Sequence, residues 1–328
     1  MKQTFFFLAM LFLPYKASAA YSGSCGENVN YDFNTSTMTL TISGTGKMTD
    51  YSLSVYVPWQ SYSGAIESVV VENGVTSVGK NAFDMCDKII TVALGNTVSS
   101  IGNSAFNYCS SLTDISFPDC LESIGSSAFF GCTSLTAVTI PDNVQTIGEN
   151  AFFMCSNITT AIIGRGVKKI DKKVFADCAK LESVILGENV TTLDYQAFYR
   201  CKKLTSIVLP STIISIGQSS FYGSGLTDVY CYATEIPSTG LQVFNSTNIA
   251  NGTLHVPSSV VEVYKVVSPW SGFKEVVALT DGDPKPTSIE SVMSIYRTEN
   301  IIYDIQGRRL RELGKGLNII NGKKIIVR

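Results

Sequence analysis

Residues 124–146 read IGSSAFFGCTSLTAVTIPDNVQT, and this stretch determines the architecture because the chain repeats it with little change. Phenylalanine recurs every 23 residues, as from Phe83 to Phe106. In six of the seven copies a cysteine follows it three residues later. Self-similarity at a fixed period of this size is typical of solenoid proteins, in which each copy forms one coil. The repeated residues are Phe83, Phe106, Phe129, Phe152, Phe175, Phe198 and Phe221, with Cys86, Cys109, Cys132, Cys155, Cys178 and Cys201.

Each repeat has two halves with different hydrophobic periods. From Ile147 to Cys155 the apolar residues fall at positions i, i+4, i+5 and i+8, which predicts one stripe of a short helix. From Leu135 to Ile140 the last residues alternate and Pro141 follows, which predicts a short strand. One repeat alone buries too few apolar groups to offset the entropy lost on ordering its backbone. The repeats are therefore predicted to stack into an α/β solenoid with a parallel strand ladder and short helices.

The repeat pattern Ile-Gly-x-x-Ala-Phe-x-x-Cys-x-x-Leu-x-x-Val-x-Ile-Pro resembles the BspA-like leucine-rich repeats. The resemblance covers residues 66–231, about seven repeats, and residues 21–65 resemble the β-rich cap found before such repeats. It implies a right-handed leucine-rich-repeat coil in a secreted or surface protein. Several members of this family are bacterial adhesins that bind host matrix proteins, so the resemblance also implies a protein-binding role.

The N-terminus has the features of an export signal. Lys2 precedes an apolar run that extends from Phe5 to Leu13, and Ala17-Ser18-Ala19 fits the small-x-small pattern of a cleavage site. The run is too short to cross a bilayer, for which a helix needs about 20 apolar residues. We therefore expect a signal peptide at 1–20 and a secreted or cell-surface protein without a transmembrane segment.

Both ends of the repeat array are expected to be capped, because the terminal coils of a solenoid expose apolar edges. The N-terminal cap at 21–65 is predicted to contain a hairpin whose turn is formed by residues 34–37. Residues 232–280 are predicted to form the C-terminal cap. The apolar residues available to cover the last coil are Leu254, Val256, Tyr264, Trp270 and Phe273.

The C-terminal end of the chain differs in composition from the repeats. Residues 281–288 form a polar linker rich in proline and glycine. Within 289–328, alternating strands are joined by glycine turns, as expected for a small β module. This tail resembles the end of the C-terminal domain that type IX secretion recognises, and a small β-hairpin module without a sorting role is the alternative.

The six repeated cysteines place one thiol per coil in a single file. Cα atoms in adjacent coils come close enough for a disulfide, but the side chains are parallel rather than facing each other. Because cysteine packs well as a small apolar residue, we expect free buried thiols in this file. Cys25, Cys120 and Cys231 lie outside it. Lipid attachment at Cys25 is a weaker alternative to simple export, because no large apolar residue precedes it at the expected position.

The sequence contains little that could support catalysis. His255 is the only histidine, and no second histidine, paired cysteine or acidic cluster lies near it in the sequence. We therefore predict a non-enzymatic protein with no cofactor and no metal site. The formal net charge of -2 provides no general attraction to nucleic acid.

The strand ladder offers the first candidate binding surface, because its outward residues form rows with one member per coil. One row becomes apolar towards its C-terminal end, at Ile162, Ile185, Val208 and Tyr230, with Tyr232 close by. An exposed apolar strip of this length would be a candidate partner site. The alternative is that β-branched residues simply suit exposed strand positions.

Basic residues in two neighbouring repeats form the second candidate surface. Lys168, Lys169, Lys172 and Lys173 lie in the first repeat, and Lys180 is predicted to lie beside Lys203 of the next. Such a patch would attract an acidic protein or a sulfated glycan, although an ordinary solvated surface has the same composition. Together these features predict a monomeric scaffold that acts as an adhesin for host matrix proteins, with surface glycan binding or nutrient capture as the alternative.

Overall fold

The computed structural model describes residues 21–286 apart from residue 53, together with the backbone of four strands in the tail. These strands, Ile302–Asp304, Arg309–Leu310, Gly316–Ile320 and Lys323–Val327, form one antiparallel sheet. The predicted signal peptide at 1–20 and the linker residues 287–288 lie outside the described residues.

Each coil contributes one strand to a parallel ladder, which we call the front ladder. Ser68 pairs with Thr91, and Thr139 pairs with Ile162, at the predicted register of 23 residues. Side chains alternate along each strand, so that Val138 and Ile140 point into the core and Thr139 points outward. The strands are Thr39–Gly44, Ser68–Val71, Thr91–Leu94, Asp114–Ser116, Ala137–Ile140, Thr160–Ile163, Ser183–Ile185, Ser206–Leu209, Asp228–Cys231, Thr253–Val256 and Glu275–Ala278.

A second parallel ladder, the side ladder, consists of shorter strands, most of which end at the isoleucine of the repeated Ile-Gly pair. Adjacent coils approach closely there: a Cβ added at Gly102 would lie 2.6 Å from the backbone nitrogen of Lys80 in the preceding coil. Glycine in this position therefore permits tight stacking. The strands are Gly46–Lys47, Val75–Val78, Ser100–Ile101, Ser123–Ile124, Thr146–Ile147, Lys169–Ile170, Thr192–Leu193, Ser215–Ile216 and Ser238–Thr239.

The third side of each coil, the back segment, is built from tight turns and differs from the predicted short helix. Two residues per coil have left-handed φ angles, such as Asn150 (59°) and Met154 (60°). The amide groups of Asn150, Phe152 and Met154 donate to carbonyl groups of the next coil, whereas those of Ala151 and Phe153 bond within their own coil. Bonding to the next coil thus replaces the i→i−4 bonds of a helix, while the same apolar residues still point inward.

Helical turns are found only near the two ends in the part of the chain that the structure describes. Turns of 3₁₀ helix span Gln60–Ala65, Ile249–Asn251, Ser258–Val260 and Trp270–Gly272. One turn of α-helix spans Val261–Tyr264. The molecule is therefore a parallel β-solenoid of about nine turns with very few short helices, the architecture of a leucine-rich-repeat coil.

The repeated phenylalanines form a continuous column of rings along the solenoid axis. Neighbouring rings lie 5.1–5.8 Å apart between centroids and within 15° of parallel. The column begins at Trp59, whose indole Nε1 donates to the Ala82 carbonyl at 3.0 Å. It continues past Phe221 to Phe244, and Trp270 packs edge-on against that last ring. Two tryptophans thus close the ends of the apolar column.

The file of cysteines runs beside the aromatic column, and its thiols are buried and free, as predicted. From Cys109 onwards each thiol donates to a phenylalanine carbonyl of the preceding coil, as Cys155 does to Phe129 at 3.0 Å. Burial raises the pKa of these thiols well above its ordinary value. The file therefore links neighbouring coils through its sulfur atoms without covalent bonds.

Both caps extend the solenoid. The N-terminal hairpin pairs Val29–Asn34 with Thr39–Gly44, and its turn is the predicted one, in which the Asn34 carboxamide accepts bonds from the amides of Ser36 and Thr37. At the other end, the predicted covering residues are buried. Beyond residue 231 the front ladder gains two strands, Thr253–Val256 and Glu275–Ala278, so the coils continue further than the repeated sequence pattern.

Candidate functional site

The outward row of the front ladder is arranged as predicted, but its exposure varies along the row. Val208 pairs with Tyr230, and Ile162 pairs with Ile185. Ile162 points away from the core cluster yet is only 3% exposed, so it contributes little to an accessible strip. Ile185, Val208 and Tyr230 are half-buried. The accessible apolar region thus begins one coil later than predicted.

His255 continues this row, because it pairs with Tyr230 on the preceding strand and with Val277 on the following one. The two rings stack with centroids 4.2 Å apart and an angle of 20° between their planes. The sequence did not indicate this contact, because Tyr230 and His255 are further apart in the chain than one repeat and the repeated pattern ends between them. We call Ile185, Val208, Tyr230, Tyr232 and His255 the front patch.

A short segment after the last strand folds back onto the C-terminal end of the front patch. The hydroxyl of Tyr232 donates to the Pro284 carbonyl at 3.1 Å, and the carboxylate of Asp283 lies 3.6 Å from Nδ1 of His255. The amide of Thr280 donates to the other oxygen of Asp283 at 2.6 Å. The first part of the predicted linker is therefore packed against the patch, and we call residues 280–284 the strap.

The strap changes the electrostatics of the two tyrosines. Burial, followed by the nearby carboxylates of Asp228 and Asp283, raises the pKa of Tyr230 above its ordinary value. Burial and Asp283 raise the pKa of Tyr232 in the same direction. Hydrogen bonds from Thr280 and the proximity of His255 lower the pKa of Asp283 itself. Both phenols are thus neutral hydrogen-bonding groups at neutral pH.

The predicted basic residues have different surroundings. The ammonium group of Lys169 lies 2.6 Å from Asp194 and 3.1 Å from Asp171, and that of Lys172 lies 2.8 Å from Glu149 of the preceding coil. These contacts raise the pKa of both lysines. Two of the four predicted residues thus bridge neighbouring coils, and Lys168 is exposed.

Lys173, the fourth predicted residue, lies over aromatic rings. Its Nζ is 5.9 Å from the ring centroid of Phe153 and 5.7 Å from that of Tyr195. In the next coil the guanidinium of Arg200 lies 5.1 Å above Tyr199. The sequence carried a signal for this arrangement, because aromatic residues often follow the repeated phenylalanine directly.

The described residues contain no group of three or more His, Cys, Asp or Glu side chains that could hold a metal ion. The surface of the described residues includes a shallow cavity of about 440 Å³ near Phe273 and another of about 490 Å³ along the side ladder from Lys47 to Asp171. His255, the one residue that could serve as an imidazole base, contacts Tyr230 and Asp283. Within residues 21–286, no helix is long and apolar enough to span a bilayer.

These features define a leucine-rich-repeat solenoid with an apolar front patch and a basic region. The family model for the BspA type leucine-rich repeat region matches residues 60–182 and 153–267. The chain therefore belongs to the BspA-type leucine-rich repeat family. No curated protein matches the sequence.

Solved structures of bacterial leucine-rich repeat proteins are similar in fold. A protein from Bacteroides ovatus is 19% identical with a TM-score of 0.53, over 78% of this chain and 76% of that one. Proteins from T. pallidum and Eubacterium ventriosum are each 22% identical, with TM-scores of 0.43 and 0.41. The similarity to the T. pallidum protein covers 61% of this chain and 88% of that one. The similarity to the Eubacterium ventriosum protein covers 79% of this chain and 84% of that one. At these identities the similarity concerns the fold alone.

Proposed function

We propose that this protein is an exported scaffold that binds another protein through the front patch and performs no catalysis. The observation that carries the proposal is the placement of Val208, Tyr230 and His255 side by side on three successive strands of a rigid ladder. Tyrosine is enriched among the residues that dominate binding energy, and charged residues are depleted from interface centres. A rigid ladder also lowers the entropy cost of binding, because its side chains are already positioned.

The proposed partner is an extracellular matrix protein of a host. The family resemblance and the sequence features of a signal peptide support this choice. Export to the cell surface or the medium follows from the same signal, with the tail at 289–328 as the proposed sorting element. We expect a monomer, because both ends of the aromatic column are covered by tryptophan side chains.

Binding of the purified protein, residues 21–328, to a panel of immobilised matrix proteins tests the proposal. For any partner that binds, the double variant Val208→Ser/Tyr230→Ala is expected to weaken binding at least about tenfold, because centre-of-patch side chains each contribute on the order of 2 kcal/mol. Leu241→Ala is the matched control, since Leu241 is 75% exposed on the back segment. Absence of binding across the panel, or equal loss in the control, would contradict the proposal.

Glycan binding at the front patch is the second candidate, and the stacked rings of Tyr230 and His255 favour it. Sugar rings bind to aromatic surfaces and to neighbouring hydroxyl and carboxylate groups, which Tyr232 and Asp228 could supply. A glycan array distinguishes the two candidates. Hits that disappear in Tyr230→Ala support glycan binding, and an array without such hits leaves the protein-binding proposal.

A further inference from the structure

We propose that a second, basic surface of this protein binds a sulfated glycan. The surface consists of Lys173, Lys180, Arg200, Lys202 and Lys203, and we call it the basic corner. Lys173 and Arg200 lie on the back segments of two neighbouring coils, and Lys180, Lys202 and Lys203 lie between those back segments and the front ladder. The proposal is independent of the front patch, because it uses other residues and another type of ligand.

The charge distribution of the chain is the first observation. Residues 165–203 contain nine lysine and arginine residues but five aspartate and glutamate residues, whereas the whole chain contains 25 and 27. A mildly acidic protein thus concentrates positive charge in two coils. Such a local field attracts polyanions even where the net charge is negative.

These nine basic residues comprise three that pair between coils, the five of the basic corner, and the exposed Lys168, which belongs to neither set. Arg165, Lys169 and Lys172 each pair with a carboxylate of an adjacent coil, and those pairs neutralise them. Within the described residues, the five members of the basic corner make no ion pair. The acidic residues nearest to these five in sequence are Asp171, Asp177 and Glu182, so three carboxylates face five cations and the corner keeps an excess of positive charge.

Coil stacking aligns the charges of the basic corner. Ile170 pairs with Leu193, and the rings of Phe175 and Phe198 stack at 5.6 Å, so the two coils keep the register of the repeat. Lys180 and Lys203 therefore occupy equivalent positions, separated by one coil, or about 4.8 Å of backbone. A ligand that carries closely spaced anionic groups along a chain would satisfy both.

Aromatic rings contact two cations of the basic corner, Lys173 and Arg200. Lys173 lies over Phe153 and Tyr195, and the ring of Tyr199 contacts both Arg200 and Tyr222, with its centroid 5.4 Å from the latter ring. Cation–π contacts hold the charged groups in place without neutralising them. The remaining apolar edges of the rings can contact the C–H groups of a sugar.

Among polyanions, a sulfated glycan fits these features better than an acidic peptide. Sulfate esters stay ionised at physiological pH, and a guanidinium group can bind an oxyanion with two parallel hydrogen bonds. A disordered acidic peptide would lose more conformational entropy on binding than a stiff polysaccharide. The sugar ring would also use the aromatic edges, which a row of carboxylates would leave without a partner.

The test measures binding of residues 21–328 to immobilised heparin, with soluble heparin, desulfated heparin, polyglutamate and single-stranded DNA as competitors. We expect binding at about 0.15 M salt, competition by soluble heparin alone, and a strong decrease with salt because counterions are released. Lys180→Gln/Lys202→Gln/Lys203→Gln should weaken binding at least about tenfold, since three unpaired cations leave the binding surface. Lys169→Gln/Lys172→Gln removes charges from the same coils that are already paired, so we expect a change below about threefold.

Circular dichroism of each variant checks that the fold is intact. Equal competition by polyglutamate or DNA would overturn the assignment to sulfated glycans. Equal losses in the two variants, or no binding to heparin at physiological salt, would overturn the basic corner as the site. Val208→Ser/Tyr230→Ala should leave heparin binding unchanged, which separates this proposal from that on the front patch.

Discussion

The aromatic column lies inside the coils and the front patch lies on their outer surface, and the two differ in how much their residues vary from coil to coil. From Phe83 to Phe244 the column keeps one residue type and nearly one ring spacing in every coil. The outward row of the front ladder changes residue type along its length, from Ser116 through Ile185 to Tyr230. This contrast indicates that repetition marks the residues that hold the coils together. Recognition must then depend on positions that do not repeat.

Charged residues also divide into those that hold the coils together and those that are available for recognition. Arg165 and Lys172 reach carboxylates that lie 23 residues earlier, so these cations belong to the stacking of coils. Arg200 and Lys203 do not take part in such pairs within the described residues, and their charges are available to solvent and ligands. Proximity in sequence therefore did not reveal which lysines of a basic cluster can bind a partner.

The strongest loss of stability is expected in the aromatic column. Phe152→Ala in the middle of the column should lower the free energy of unfolding by about 3–5 kcal/mol, because it leaves a cavity between two stacked rings. The adjacent Phe153, which is half-buried on the back segment, is the control, and its replacement by alanine should cost clearly less. Urea denaturation followed by circular dichroism measures both. Equal losses would show that the column has no special role in stacking.

The cysteine file should show a weaker effect. Cys155→Ala removes a buried sulfur and its bond to the Phe129 carbonyl, so we expect a loss of about 1–2 kcal/mol. In the native protein a thiol reagent should label Cys120, which is half-buried, and leave the six thiols of the file unlabelled. Fast labelling of the file under native conditions would contradict its burial.

The ion pairs between coils are expected to contribute less again. Lys169→Met should lower stability by at most about 0.5–1 kcal/mol, because its side chain is 47% exposed and solvent screens the pair. Although burial alone would raise the pKa of Asp194, Lys169 and the Tyr195 amide lower it. A carboxylate with a lowered pKa stabilises the fold above its unfolded pKa, near 3.9, and this contribution is lost as the pH falls through the folded value. Thermal melts from pH 6 to pH 3 should therefore show a smaller acid dependence in Lys169→Met than in the wild type.

The strap over the front patch should affect stability least. Asp283→Asn removes a negative charge that raises the pKa of Tyr230 and Tyr232, so both phenols should titrate at lower pH. Global stability should remain nearly unchanged, because the strap is a segment outside the core. Ultraviolet titration of tyrosine ionisation measures the shift. An unchanged titration curve would mean that the strap does not rest on the patch in solution.

Much of the scaffold could be predicted from the sequence because its physical cause is itself periodic. The register of the coils, the inward phenylalanines and the buried thiols follow from one pattern that every coil must satisfy. The back segment was predicted as helix because spacing at i, i+4 and i+8 buries the same residues in either geometry. The amide bonds to the next coil, such as Phe152 to Val174, decide between the two, and they join residues that are distant in sequence.

The candidate sites could be predicted only in part, because their contacts involve residues that are not part of the repeated pattern. Tyr230 was predicted on the front row, but its stacking on His255 requires a coil longer than the repeat and its environment depends on the strap. Ile162 was predicted in the same row as an accessible residue, and its burial depends on neighbouring strands. The pairing of Lys169 and Lys172 depended on carboxylates in adjacent coils.

The repeated residues form the scaffold, and we propose that the C-terminal half of the front ladder binds the partner. Hydrogen exchange of the protein with and without a matrix protein that it binds tests this division. We expect added protection in peptides that cover 183–185, 206–209, 228–232 and 253–256, with unchanged exchange in the N-terminal strands. Protection confined to the back segments or to the N-terminal cap would contradict the conclusion.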